Sequence, residues 1–182
     1  MSVTWTGVVL ALIAAAVVAA ERPVIGLVIW LVSRIADGLD GLVAREGRMT
    51  TAYGGFMDIT LDMAAYSGMV LGFAIAYPEY GLMWTCVLAG YVLAVTTTLA
   101  LAAAAERLGR TVVVGNRTFQ FTRGLAEAGE TTVVYVLWTL WPAAIAPVGW
   151  AWCGLLLASA IQRSWWARRA LRGSPGLDEN DL

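Results

Sequence analysis

Apolar runs dominate this chain. Six stretches of about 20 residues, each enough to span a bilayer, would take up about two-thirds of its 182 residues. They fall at about 3–20, 24–45, 56–77, 82–105, 121–141 and 143–161, with a polar tail at 162–182. The fold class that follows is all-α: one polytopic membrane domain, residues 1–182, with six transmembrane helices. Composition agrees. Apolar residues make up 59%, charged residues 14%, and mean hydropathy is +0.71. A soluble domain is nearer half apolar and a quarter charged. A conventional soluble enzyme is excluded, as is a disordered or collagen-like chain. The first run is not a signal peptide, because Met1-Ser2-Val3-Thr4-Trp5 carries no basic residue. Glu21-Arg22-Pro23 reads as a turn, and Pro78-Glu79-Tyr80-Gly81 closes the third run because proline cannot continue a helix.

Charge narrows the chemistry. Twelve basic residues face 13 acidic ones, so net charge names no polyanionic partner, and no nucleic-acid motif is present. All 12 basic residues are Arg, and His is absent. That removes His-ligated zinc and Ser-His or Cys-His nucleophiles. Cys86 and Cys153 lie in apolar runs and read as small core residues. Placing the 46–53 loop, the 106–120 loop and the tail on one side gathers Arg45, Arg48, Arg107, Arg110, Arg117, Arg163, Arg168, Arg169 and Arg172 there, with Arg123 at the edge. The opposite loops hold Arg22. The positive-inside rule makes the Arg-rich side cytoplasmic. Arg163, Arg168, Arg169 and Arg172 read as a juxtamembrane anchor for anionic lipid. Trp141, Trp150, Trp165 and Trp166 fall near span ends, as an aromatic belt or as core packing.

Four carboxylates interrupt or flank this apolar background. Asp37, Asp40, Asp58 and Asp62 lie within 26 positions. A carboxylate deep in a bilayer costs about 2.5–3.5 kcal/mol on insertion scales. Their spacing gives them a common purpose. Asp37 and Asp40 are three apart, with Gly41 and Ala44 on the same face; Gly54, Asp58 and Asp62 are four apart on the next helix. The short loop makes the two helices antiparallel neighbours, so both pairs converge near the cytoplasmic end. Four converging carboxylates need cations, and hard oxygen donors favour Mg²⁺ or Mn²⁺. Gly41, Ala44 and Gly54 leave room for a ligand, and Arg45 can grip phosphate as a bidentate fork. Any one of these aspartates alone reads equally well as a solvated helix-end charge.

Read in order, Asp37-x2-Asp40-Gly41-x2-Ala44-Arg45-x8-Gly54-x3-Asp58-x3-Asp62 resembles the signature of the CDP-alcohol phosphotransferase (CDP-alcohol phosphatidyltransferase) family, with all eight fixed residues present. Gly54-Gly-Phe-Met-Asp58-Ile-Thr-Leu-Asp62 and Gly124-Leu-Ala-Glu127-Ala-Gly-Glu130-Thr are similar to a bacterial inner-membrane branch of it. The resemblance implies the family's six-helix membrane fold, a homodimer, and an inner-membrane site facing the cytoplasm. It implies transfer of a phosphoalcohol from a CDP-alcohol, commonly CDP-diacylglycerol, to an acceptor hydroxyl with release of CMP. Carried over by position, Asp37, Asp40, Asp58 and Asp62 would hold two divalent metals. Asp62 would also be the general base, and Gly41, Ala44, Arg45 and Gly54 would line the CDP site. Two departures stand out. The family's amphipathic arm would precede span one, which here begins at Val3, so an upstream start adding about 30 residues is expected. Met63 stands where many lipid-synthesising members carry Lys, so acceptor type does not carry over.

Two readings of Glu127 and Glu130 stay open: a polar wall for the acceptor beside Arg123, or a structural ion pair of Arg123 with Glu127. A divalent-cation transporter and a catalytically silent scaffold are the rival functions. The apolar outer halves of the spans count against the first, and the intact fixed positions against the second.

Overall fold

A computed structural model describes residues 2–46, 52–107 and 128–172, with side chains described for 6–35, 53–107 and 129–169. Among the described residues there are six α-helices and no strand. They are α1 (Ser2–Ala19), α2 (Pro23–Glu46), α3 (Ala52–Ala76), α4 (Gly81–Arg107), α5 (Ala128–Leu140) and α6 (Ile145–Arg172). Tyr53–Ala76, Pro78–Arg107 and Pro142–Arg169 are long and apolar enough to cross a membrane; Thr6–Ala19 and Pro23–Ile35 are shorter apolar helices.

The chain breaks where its sequence supplies a reason. Glu21 has φ 61°. Its N–H donates to the Val18 carbonyl at 2.9 Å, and the Arg22 N–H to the Val17 carbonyl at 3.1 Å. This is a Schellman cap with Glu where glycine is usual, and Pro23 then opens α2. Proline ends α3 and α5 in the same way. Pro78 and Pro142 each start one 3-10 turn, Pro78–Tyr80 and Pro142–Ala144, that leads into the next helix.

Helix α1 is a wedge. Ala11, Ala14, Ala15 and Val18, at helical spacing, are nearly or fully buried. A Cβ on Gly26 of α2 would sit 2.8 Å from the Ala14 carbonyl oxygen, and one on Gly72 of α3 would run into the backbone of Ala15. Small residues thus let α1 pack close to both neighbours, as in membrane helix pairs generally. A second pair, α4 and α6, closes through Gly90 against Leu156 and Gly149 against Met83. Helix α5 bridges the halves by packing on α2 and α6. Between them lies an aromatic core in which Trp30, Phe73, Tyr135 and Trp138 are fully buried. Val24, Ile75, Leu82 and Val92 face outward, as a lipid-facing surface requires. The Thr85 and Ser159 hydroxyls bond back to the carbonyl four residues earlier, so neither carries an unmet donor into the apolar layer.

Two expectations change. Helix α6 continues unbroken through 162–172, and Arg163 is not a lipid anchor. It is 7% exposed and donates to the Ala94 carbonyl of α4 at 2.9 Å. It can turn inward because it lies on the face of α6 that packs on α4. Trp141, Trp150 and Trp165 are exposed, which removes core packing as their role. Arg169 stacks on Trp165, its Cζ 3.5 Å from the ring centroid.

Candidate functional site

The candidate site lies between α2 and α3. Helix α1 packs closely on both, whereas α2 and α3 meet mainly through side chains. The rings of Trp30 and Tyr66 stand 5.6 Å apart, and one turn further Arg34 Nη1 meets Asp62 Oδ1 at 2.8 Å. Contacts that advance along α2 while retreating along α3 define an antiparallel pair.

One face of α3 runs from solvent into the core at four-residue steps. Gly54 and Asp58 are exposed, Asp62 is 30% exposed at its side chain, and Tyr66 is buried. The carboxylates therefore differ in depth, with Asp62 the inner one. Arg34 pairs with it from α2 and is 12% exposed. Its guanidinium lies 4.8 Å from the Trp30 ring centroid and 5.6 Å from that of Tyr66. Arg34 Nη2 donates to Ser33 Oγ at 3.2 Å, and Ser33 donates to the Gly7 carbonyl of α1 at 2.8 Å. Ser33 is fully buried.

The floor beneath Asp62 is closed. Trp30 Nε1 donates to Thr132 Oγ1 of α5 at 3.3 Å. The Trp30 and Tyr135 rings meet edge to face at 5.1 Å. The Tyr135 hydroxyl donates to the Tyr66 carbonyl at 2.9 Å and lies 3.2 Å from the Tyr91 hydroxyl, which accepts from Trp152 Nε1 at 3.2 Å. These bonds tie α3, α4, α5 and α6 into one base.

Among the residues expected from the sequence, Asp58, Asp62 and Gly54 share this face of α3. Asp37, Asp40, Gly41, Ala44 and Arg45 lie on α2, and their side chains are outside the described residues. So are Arg123 and Glu127 entirely; Glu130 is exposed in the first turn of α5. Among the described residues no group of three or more His, Cys, Asp or Glu is gathered for a metal. What is present fits one: two carboxylates one turn apart at an open end, hard oxygen donors suited to Mg²⁺ or Mn²⁺. The residue that sequence reasoning missed is Arg34. Its signal is an arginine inside the apolar run of α2, one turn before Asp37.

Known proteins resemble this chain in sequence and in fold. The sequence model of the CDP-alcohol phosphatidyltransferase family matches residues 2–162. Inner membrane protein YnjF of Escherichia coli is 34% identical over 143 residues, covering 76% of this chain and 68% of its own. A CDP-diacylglycerol–inositol 3-phosphatidyltransferase of Candida albicans is 31% identical over 65 residues, which is 36% of this chain and 28% of its own. Among solved structures, Mycobacterium tuberculosis phosphatidylinositol phosphate synthase (PgsA1) with CDP-DAG bound superposes with TM-score 0.65 at 18% identity. That match covers 100% of this chain and 90% of that one. The same synthase in complex with manganese and citrate gives 0.67 at 17% identity, over 97% and 85%. At this identity the two structures establish a shared fold.

Proposed function

The chain belongs to the CDP-alcohol phosphatidyltransferase family, and from that premise we propose that it is a metal-dependent membrane transferase of phospholipid biosynthesis. It moves a phosphatidyl or related phosphoalcohol group from a CDP-alcohol such as CDP-diacylglycerol to an acceptor hydroxyl, and CMP leaves. The observation that carries this reading is the antiparallel register of α2 and α3. Trp30 meets Tyr66 and Arg34 meets Asp62. The same four-residue step carried toward the ends of both helices puts position 38, between Asp37 and Asp40, level with 58, and 42, next to Gly41, level with 54. That supports convergence of Asp37, Asp40, Asp58 and Asp62, with Gly41 and Gly54 beyond them. A PgsA1 structure holding manganese and another holding CDP-DAG support the same chemistry.

In this reading the four aspartates would hold two divalent ions, Mg²⁺ or Mn²⁺. When bound, such ions neutralise a diphosphate and stabilise the leaving oxygen of an in-line displacement. Gly41, Ala44, Arg45 and Gly54 line the CDP site, where small residues admit the nucleotide and Arg45 bonds phosphate oxygens. The acceptor hydroxyl loses its proton to Asp62. Its oxygen bonds to the phosphorus that carries the alcohol, and the bond from that phosphorus to the CMP oxygen breaks. The position of Asp62 as the inner carboxylate of the face supports this role. Homodimerisation and a cytoplasm-facing site in the inner membrane complete the proposal; the Arg-rich side supports the orientation. A cation path is disfavoured by the aromatic floor, since Trp30 and Tyr135 there are fully buried.

The test is lipid mass spectrometry of cells with and without the gene, followed by incubation of purified protein with CDP-diacylglycerol and an acceptor panel. The panel is glycerol phosphate, inositol phosphate, serine and phosphatidylglycerol. One new phosphodiester product tied to the gene is the expected result. An unchanged lipidome with no product from any acceptor overturns the proposal.

A further inference from the structure

We infer that Arg34 is a positioning residue that sets the carboxylate of Asp62 for metal and acceptor, an inference that rests on the proposed transferase reading. An arginine in this apolar part of α2 is costly to insert, and a buried ion pair is a poor source of stability. Its surroundings explain what it does instead. The guanidinium is held on four sides. Trp30 and Tyr66 flank it at 4.8 and 5.6 Å, Ser33 Oγ accepts from Nη2 at 3.2 Å, and Asp62 Oδ1 accepts from Nη1 at 2.8 Å. Ser33 is in turn fixed to the Gly7 carbonyl of α1 at 2.8 Å, and Trp30 to Thr132 of α5 at 3.3 Å. Four helices therefore determine where one carboxylate oxygen sits.

The chemistry needs this. A carboxylate has about four acceptor lone pairs, so a bond from Arg34 and coordination of a metal are compatible. Groups that hydrogen-bond a metal-binding carboxylate from behind orient it, and losing one typically costs 10–100-fold in metal affinity or activity. Misplacing a reacting group by about 1 Å costs on the order of 10²-fold in rate. A lysine would keep the charge but lose the planar fork that bonds Asp62 and Ser33 together and stacks on the rings.

The experiment uses full-length protein in lipid nanodiscs, as wild type, Arg34→Gln, Arg34→Lys and Ser33→Ala. Three measurements are made: Mn²⁺ affinity by electron paramagnetic resonance, kcat and KM for CMP release from CDP-diacylglycerol in the presence of the acceptor panel, and thermal unfolding. Arg34→Gln is expected to weaken Mn²⁺ binding 10–100-fold and lower kcat about 10²-fold, with KM for CDP-diacylglycerol little changed. Arg34→Lys should fall between it and wild type, and Ser33→Ala should show a smaller loss of the same kind. If Arg34→Gln does not fold, Arg34→Lys and Ser33→Ala carry the comparison. Unchanged Mn²⁺ affinity and kcat in the folded variants overturn the inference, even with a lowered unfolding temperature, because that pattern is purely structural. Wild-type protein that binds Mn²⁺ but releases no CMP refutes the transferase reading, and the Mn²⁺ comparison still decides the role of Arg34. Wild-type protein that binds no Mn²⁺ overturns both.

Discussion

Replacing Asp62 by Asn separates stability from chemistry at this site. Asn keeps an Oδ1 that can accept from Arg34 Nη1, now at 2.8 Å, but it removes the negative charge. Arg34, 12% exposed, loses this carboxylate. Losing one charge of a buried pair costs up to about 3–5 kcal/mol, and the Oδ1 that Asn keeps offsets part of it, so the expected destabilisation is about 1–3 kcal/mol. A stability of about 5–15 kcal/mol absorbs that loss, and the variant remains folded. The kinetic effect is larger. General-base assistance is worth about 10²–10⁴-fold, or about 3–5 kcal/mol of barrier at 1.36 kcal/mol per decade, and an altered metal ligand adds to it. Since the folded fraction hardly changes, all of the lost turnover is chemical. The assay is CMP release beside CDP-diacylglycerol binding and thermal unfolding, on wild type, Asp62→Asn and Asp62→Glu. Near-complete loss of turnover with binding kept is expected for Asn, and partial activity at best for Glu, whose added methylene displaces the carboxylate by about 1 Å. Asp62→Asn turning over at near wild-type rate would refute the reasoning.

Two further perturbations test the scaffold. Glu21 holds the left-handed cap position, which costs an ordinary residue about 1–2 kcal/mol. Glycine removes that cost and adds about 0.5–1 kcal/mol of chain entropy. Glu21→Gly should therefore raise the unfolding temperature slightly, and a fall would show that the cap is not strained. Gly72→Val places a branched side chain against the Ala15 backbone, which cannot rotate away. A destabilisation of about 1–3 kcal/mol or more is expected, read by thermal unfolding, with a further loss of activity as α1 is pushed off α3; wild-type stability would contradict the close crossing.

The α3 face of the candidate site was legible because carboxylates in apolar helix stand out, and their four-residue spacing names the face they share. Asp58 and Asp62 do lie on one face, graded in depth. Arg34 was overlooked for a physical reason. Arginines in loops orient the chain, whereas a lone arginine within an apolar run is absorbed into the run. Its partners, Trp30 and Tyr66, are themselves apolar-looking and give no warning of a cation. The wedge role of α1 was also hidden. A short loop joins α2 and α3, which suggested direct packing, whereas the small residues Ala14, Ala15, Gly26 and Gly72 put α1 between their backbones. Hydropathy ended span six at 161 because polar residues follow. It cannot see that Arg163 buries itself on α4 by bonding Ala94, which lets the helix continue.

The most direct measurement is CMP release by purified wild-type protein supplied with CDP-diacylglycerol and the acceptor panel, with Mg²⁺ or Mn²⁺, with EDTA, and with metal restored. The account predicts release that requires both an acceptor and a divalent ion, disappears in EDTA and returns on adding metal back. Full turnover in metal-free buffer, or no CMP with any acceptor from folded, metal-supplied protein, would contradict it.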